Sequence, residues 1–240
     1  MTALLTPSRP RTQSPIPPGD WGGPGREPRQ SQSRRRLGRL GRSRWTRLGL
    51  PALAVLCALV AGAALLFPML SGLYTRHEQQ ILAGELDTPA VGAVAGASGD
   101  AVARVTIPAI ALDMVVVQGT DASALAKGPG HYPASPMPCT EGNVAIAGHR
   151  TTFLHPFHDL NRLVPGDVIE LRTRSLSCAY SVTTAPFAVS PRDSAVVADT
   201  PGRFGLTLTT CHPIGSSAER LIVQASLVPG SLRTVNPHRA

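Results

Sequence analysis

The segment FGLTLTTC, from Phe204 to Cys211, alternates apolar and polar side chains and ends on a thiol. Successive side chains of a β-strand point to opposite faces, so Leu206 and Leu208 share one face while Thr209 shares the other with Cys211. The pattern predicts a strand with one buried face, and it places Cys211 off that face. Cys211 could then be a structural residue, half of a disulfide, a metal ligand or a nucleophile.

Short apolar runs of the same kind recur from Val102 to Gly230, and turn signals such as QGTD, KGPGHYP, VPGD and TPGR separate them. About seven or eight strands fit into this segment, and FHDLNRL and SAVVADT are the candidate short helices. So many strands with so little helix predict a mostly β domain, either a closed barrel or a sandwich.

The N-terminal part of the chain has a different composition. An uncharged stretch of 28 residues runs from Leu48 to Thr75, and about 20 such residues cross a hydrocarbon core of about 30 Å as a helix. A cleaved signal peptide would have a shorter apolar region and would begin near the N-terminus. We therefore expect a transmembrane helix over 48–74, preceded by a disordered basic tail over 1–47.

The positive charge of the chain is confined to this N-terminal part. Residues 1–75 carry 11 arginines and 2 acidic residues, a net charge of +9, so residues 76–240 contribute −1 to the total of +8. Because the folded part is almost neutral, the charge does not indicate a nucleic-acid partner. The positive-inside rule instead places the tail in the cytoplasm and the C-terminal domain outside a plasma membrane that the chain crosses once.

The rest of the chain divides into three segments by composition. Residues 75–101 start polar and become small and flexible, which predicts an extracellular stalk. The strand-rich domain is expected over 102–230, and a short tail over 231–240.

The four cysteines are distributed between these segments. Cys57 lies in the apolar stretch, and the other three lie in the outer domain. Three is an odd number, so at most one disulfide can form among them. The sequence allows a bond between Cys139 and Cys178, which would leave Cys211 as a free thiol.

Strand alternation also places a histidine and an arginine off the core face. In NVAIAGH, Val144 and Ile146 point inward, and His149 points to the other side. In ERLIVQASLV, Leu221 points inward, and the side chain of Arg220 points the other way. A thiol of pKa about 8.5 needs a nearby base or positive charge to become a nucleophile near neutral pH. An imidazole can move its proton, and a guanidinium can hold a carbonyl or an oxyanion. Spacing alone leaves a buried cysteine near an ordinary surface arginine as the alternative.

Three motifs together resemble the sortases, the membrane-anchored cysteine transpeptidases of Gram-positive bacterial surfaces. They are NVAIAGHRT, a TLTTC whose cysteine follows that histidine by 62 residues, and an arginine nine residues further on. GTDASALAKGPGHYP and CHP are similar to the class E sortases, the housekeeping type of high-GC Gram-positive bacteria. The likeness covers about residues 102–230 and implies an eight-stranded sortase-type β-barrel with short helices.

The resemblance implies roles for five residues. Cys211 would be the nucleophile, His149 the acid/base, and Arg220 the group that positions the substrate or stabilises the oxyanion. Thr210 would line the substrate groove, and Tyr132 would help to select the second residue of the sorting signal.

The resemblance also implies the substrates. They would be surface proteins with a C-terminal LAXTG or LPXTG signal, cleaved between Thr and Gly through a thioacyl intermediate on the cysteine. The acceptor would be an amine of a lipid II-type cell-wall precursor, and no cofactor is expected.

Other functions stay open from the sequence. The SxGCxR pattern of L,D-transpeptidases, which are also cell-wall cysteine acyl-transferases, has Gly where this chain has Thr210. A non-catalytic anchored β-barrel that binds a ligand is an alternative of a different class, and a pilin polymerase is an alternative to a housekeeping anchor. We expect no metal, because His155 and His158 have no third ligand near them in the sequence.

Overall fold

The computed structural model describes residues 44–88 and 96–235. The basic tail expected over 1–47 lies almost entirely outside these residues, and so does the second half of the expected C-terminal tail. The chain divides into two units, Met1–Leu48 and Gly49–Ala240. All of the strands belong to the second unit.

The described residues form two α-helices, three short 3₁₀ helices and ten strands. Helix α1 spans Arg44–Asp87 and helix α2 spans Ala122–Lys127. The 3₁₀ helices span Pro108–Ile110, Leu160–Arg162 and Ala195–Val197. The strands are β1 (Ala101–Ile107), β2 (Leu112–Gln118), β3 (Gly130–His131), β4 (Gly142–Ala147), β5 (Val168–Arg172), β6 (Leu176–Val182), β7 (Phe187–Val189), β8 (Phe204–His212), β9 (Glu219–Leu227) and β10 (Arg233–Thr234).

Eight of these strands close into a barrel. Their order around the ring is β6, β5, β1, β2, β3, β4, β8 and β9, and β9 pairs with β6 to complete it. Strands β10 and β7 lie outside the ring, on β6 and β9. Neighbours are antiparallel except for the parallel pairs β2–β3 and β4–β8. The predicted fold class, a mostly β protein with an eight-stranded barrel, is confirmed.

The inward faces of the strands fill the barrel with apolar side chains. Leu206 and Leu208 of β8 are 1% and 0% exposed, and Val144 and Ile146 of β4 are completely buried. Each belongs to the main core cluster, and burial of such a side chain contributes about 1.5–3 kcal/mol. The alternation in the sequence therefore identifies the core face of both strands correctly.

Helix α1 begins with an apolar and exposed part. It is the one helix among residues 44–88 and 96–235 that is long and apolar enough to cross a membrane. Large apolar side chains from Leu53 to Leu73 are more than half exposed, although a soluble helix of this composition would bury one side. This part of α1 corresponds to the predicted transmembrane segment.

The second part of α1 differs from the sequence expectation. A flexible stalk is predicted over 75–101, but the helix continues without a break to Asp87. Its side chains Ser71, Thr75, Leu82 and Leu86 are buried. Only two of these four residues are large and apolar, and exposed apolar residues such as Leu73 and Ile81 lie between them, which is why the amphipathic pattern is weak in the sequence.

Gln79 is the central polar contact between α1 and the barrel. Its side-chain amide accepts a hydrogen bond from the Val115 N–H (2.7 Å) and donates to the carbonyls of Val115 and Lys127 (2.9 Å each). Leu82 and Leu86 join an apolar cluster with residues of β1, β2 and α2. The helix is therefore docked on the domain rather than tethered to it.

A disulfide joins Cys139, in the loop before β4, to Cys178 in β6. Both cysteines are buried at the barrel core. Cys57 and Cys211 are free. The one thiol of the strand-rich domain that is not bonded is therefore the one at the end of β8.

We expect the Cys139→Ala/Cys178→Ala double variant to lose about 3–4 kcal/mol of unfolding free energy, because the bond closes a loop with a sequence separation of 39 residues. Urea unfolding of the full chain in detergent micelles measures this loss. Cys57→Ala, which removes an exposed free thiol, is the control and should change the unfolding free energy by less than about 0.5 kcal/mol. A double variant as stable as the control would contradict the prediction.

Candidate active site

Strands β4 and β8 bring His149 and Cys211 to the same rim of the barrel. The two strands are parallel, with Ala147 opposite Thr209, and one more hydrogen bond runs from the Gly148 N–H to the Thr209 carbonyl (3.1 Å). His149 and Cys211 each follow these partners by two residues. Residues two apart share a face of a strand, so Cys211 lies on the face of β8 that carries Thr209. The same alternation, continued two residues past the end of β4, puts His149 at the same level.

Arg220 lies beside Cys211 on the next strand. Strand β9 is antiparallel to β8, and Cys211 and Arg220 are directly opposite each other, which places the Cβ atoms of such a pair about 4.5–5.5 Å apart on one face. The Arg220 guanidinium donates to the carbonyls of Ser217 and Glu219 at 3.2 and 3.1 Å. These bonds hold it at the turn between the two strands.

Tyr132 lies next to β4 on the side away from β8, and it adds to the face that carries Thr209 and Cys211. Its N–H donates to the Ala145 carbonyl (2.9 Å), directly after the short strand β3. Burial raises the pKa of the Tyr132 phenol, while the Arg220 charge and the Thr209 side chain act in the opposite direction. The phenol is therefore protonated near neutral pH and can donate a hydrogen bond next to the thiol.

His149 is half-buried, and this burial lowers the pKa of its imidazole. An unperturbed histidine has a pKa of about 6.5, so the neutral form of His149 dominates at pH 7. A neutral imidazole can accept a proton and later return it. One flat side of the ring faces Phe153, with the centroids 5.1 Å apart and the planes at 30°.

Thr210 does not lie where the resemblance implies. Its hydroxyl donates to the Gly148 carbonyl at 2.7 Å. Adjacent strand residues point to opposite faces, so Thr210 points away from the face that carries Cys211. The structure corrects the prediction that Thr210 lines the groove. Thr209 shares the outward face with Cys211, and strand alternation alone identifies it.

Arg150 is a site residue that the sequence reasoning did not single out. It is 4% exposed, and its guanidinium donates to the carbonyls of Cys211 (3.2 Å) and His158 (3.4 Å). It also donates to the side chains of Asn161 (2.9 Å) and His212 (2.8 Å). A guanidinium only donates, so the Nδ1 atom of His212 accepts here. His212 thus helps to fix the position of the Arg150 guanidinium.

These bonds make Arg150 the cross-link between the ends of β4 and β8. Salt bridges within the described residues do not include it, so carbonyls and uncharged side chains compensate its buried charge. The sequence does contain a signal for Arg150. It directly follows His149, so alternation turns it towards the core, where an arginine requires several hydrogen-bond acceptors.

A sequence model of the family described as Sortase domain matches residues 105–228 of this chain. Sortase D of Bacillus subtilis is 31% identical over 134 residues, which are 55% of this chain and 66% of that protein. Sortase SrtE1 of Streptomyces coelicolor is 34% identical over 111 residues, 41% of this chain and 32% of that protein. The chain therefore spans less than two thirds of the length of these relatives.

Two solved structures extend the comparison. Sortase E from Streptomyces avermitilis is 32% identical with a TM-score of 0.53, and the match covers 60% of this chain and 97% of that one. A Clostridium perfringens Sortase D5 transpeptidase is 25% identical with a TM-score of 0.56, and the match covers 64% and 98%. Each match thus covers almost the whole of the solved chain but less than two thirds of this one.

We expect Arg150→Met to lower the free energy of unfolding by about 2–3 kcal/mol, because it leaves the Cys211 carbonyl and the Asn161 side chain without their donor. Denaturant unfolding of the full chain in micelles measures the loss. Arg162→Met is the matched control from the same loop, since its exposed ion pair with Asp159 contributes at most about 1 kcal/mol. Equal stabilities of the two variants would refute the cross-linking role of Arg150.

Proposed function

This chain belongs to the sortase family, and we propose that it is a membrane-anchored cysteine transpeptidase of the class E type. The observation that carries the proposal is the placement of Cys211, His149 and Arg220 on one outward face, at the ends of three adjacent strands. Acyl transfer requires a nucleophile, a group that moves protons and a fixed positive charge, and these three side chains would supply them.

In the proposed reaction, His149 takes the proton of the Cys211 thiol, and the sulfur attacks the threonine carbonyl carbon of an LAXTG- or LPXTG-type signal. The C–N bond to glycine breaks, and His149 gives a proton to the leaving amine, so that a thioester joins Thr to Cys211. An acceptor amine then attacks the thioester carbonyl and passes its proton to His149. The new amide bond forms as the Cys211 sulfur leaves and takes this proton from His149, which restores the thiol and the neutral imidazole.

Arg220 is the proposed ligand of the carbonyl oxygen on which negative charge develops. Its position opposite Cys211 and its bonds to Ser217 and Glu219 leave little freedom for the guanidinium to move away. A donor that is already oriented stabilises an oxyanion without reorganisation during the reaction. The planar fork can hold two acceptors at once, which an ammonium group cannot do with the same geometry.

The class E assignment and the signal preference rest on Tyr132 and on the GHYP and CHP motifs. Tyr132 lies on the outward face beside Thr209, Arg220 and Cys211, where a bound signal would pass. We propose that its ring contacts the second residue of the signal and favours alanine over proline there. Thr209, rather than Thr210, would form the floor of this part of the groove.

The apolar part of α1 is the proposed anchor. Its length and composition suit one membrane crossing, and the net charge of +9 over residues 1–75 supports a cytoplasmic N-terminus. The barrel would then lie outside the cell, where surface proteins and a lipid II-type acceptor amine meet it. A housekeeping role in anchoring surface proteins to peptidoglycan follows from the class E type.

We expect the full chain in detergent micelles to cleave LAXTG and LPXTG peptides between Thr and Gly and to join the Thr to an added primary amine. Mass spectrometry should detect the thioacyl adduct on Cys211. Cys211→Ala should lower kcat/KM by at least about 10³-fold, whereas Cys57→Ala should keep the parent activity. Arg220→Lys should lower kcat about 10- to 100-fold, because the charge remains but the fork is lost. Turnover that survives Cys211→Ala would eliminate the proposed nucleophile.

We expect Tyr132→Ala to lower the ratio of kcat/KM for LAXTG over LPXTG peptides by about 3- to 10-fold, because the contact with the second residue is removed. Tyr132→Phe keeps the ring and should keep the ratio within about twofold. Competition between the two peptides in one reaction measures the ratio directly. If Tyr132→Ala slows both peptides equally, Tyr132 does not select between them.

A further inference from the structure

The loop that follows His149 has an uncommon backbone conformation. Three consecutive residues with side chains, Phe153, Leu154 and His155, have positive φ angles of 52°, 61° and 39°. Left-handed conformations are unfavourable for L-residues that carry a Cβ, and runs of them are rare. Such a segment persists where surrounding contacts over-determine it.

Helix α1 supplies two of these contacts. The Phe67 ring packs edge-on against Phe153, with the centroids 6.1 Å apart and the planes at 83°. Gly72 lies next to Leu154, since a Cβ at position 72 would be at an ordinary contact distance of 3.5 Å from the Leu154 Cδ2 atom. Leu154 also packs against the barrel core. The loop is therefore held between the helix and the barrel.

The same loop carries the aromatic ring that packs on His149. The imidazole and the Phe153 ring are 5.1 Å apart and tilted by 30°. Among the side chains that the structure describes, none forms a hydrogen bond with the His149 imidazole, and burial is the cause of its lowered pKa. A catalytic base is commonly oriented by a third group through a hydrogen bond. Here Phe153 makes the contact that can restrict the ring.

We propose that Phe153 is a positioning residue for His149 and that helix α1 holds Phe153 in place through Phe67 and Gly72. The inference rests on the acid/base role proposed above for His149. Without the Phe153 ring, the imidazole can rotate away from the thiol, and misplacement of a reacting group by about 1 Å can cost about 100-fold in rate. The helix that would anchor the protein also becomes part of the support of its active site.

Two pairs of variants in the full chain, in detergent micelles, separate this role from general packing. Phe153→Ala removes the ring, whereas Phe153→Tyr keeps it. Gly72→Leu extends into the space of Leu154, whereas Gly84→Leu adds the same side chain at a position of α1 where nothing lies within 4 Å of a Cβ. Gly72→Ala adds a methyl group at ordinary contact distance and serves as a second control.

We expect Phe153→Ala and Gly72→Leu to lower kcat for peptide cleavage about 10- to 100-fold while KM changes less than about twofold. In an NMR titration of histidine-labelled protein, both should raise the pKa of His149, because the imidazole gains access to water. Phe153→Tyr, Gly72→Ala and Gly84→Leu should retain the parent values. If Phe153→Ala does not fold, Phe153→Leu, which keeps apolar bulk without a flat ring, should show the same fall in kcat with a smaller rise of the His149 pKa.

The inference is overturned if Phe153→Ala (or Phe153→Leu) and Gly72→Leu keep both the parent kcat and the parent titration of His149. It is also overturned if Gly84→Leu has the same effects as Gly72→Leu, because the effects would then not come from the contact with Leu154. The titration needs no substrate, so it tests the contact even if the peptides are not cleaved. Full activity of His149→Gln would instead contradict the acid/base role, independently of Phe153.

Discussion

The parallel pairing of β4 with β8 is the constraint on which the rest of the site depends. It sets Ala147 level with Thr209, and the levels and faces of His149 and Cys211 follow from that register. A shift of one residue in either strand would turn one of the two side chains into the barrel core. The apolar residues that alternate with them, such as Ile146 and Leu208, oppose this shift because they would have to leave the core.

The support of this pairing is polar as well as apolar. Arg150 links the two strand ends from within the protein, and Thr210 does so through its bond to the Gly148 carbonyl. Both side chains point inward, directly next to a candidate site residue, His149 or Cys211. The motif GHR and the motif TTC thus have the same construction, in which a candidate site residue has a neighbour that fixes the backbone.

Strand alternation was sufficient to predict the core faces of β4, β8 and β9. It could not predict that β4 and β8 are neighbours, because their pairing joins segments about 60 residues apart in the chain and depends on closure of the whole barrel. The resemblance led to Thr210 as a groove residue, although alternation already favoured Thr209. The docked half of α1 escaped prediction because hydrogen bonds of Gln79 and Thr75 supply part of its contacts, and only Leu82 and Leu86 add large apolar ones.

The continuity of helix α1 has a consequence for how such an enzyme would meet its substrates. A domain on a flexible tether samples a volume that grows with the length of the tether. Helix α1 runs from its apolar part to its docked part without a break. A bilayer around the apolar part would therefore also set the distance between the membrane surface and the end of the barrel that carries Cys211. Substrates confined to the same surface would then be present at a high effective concentration, whereas those further out in the cell wall would be beyond reach.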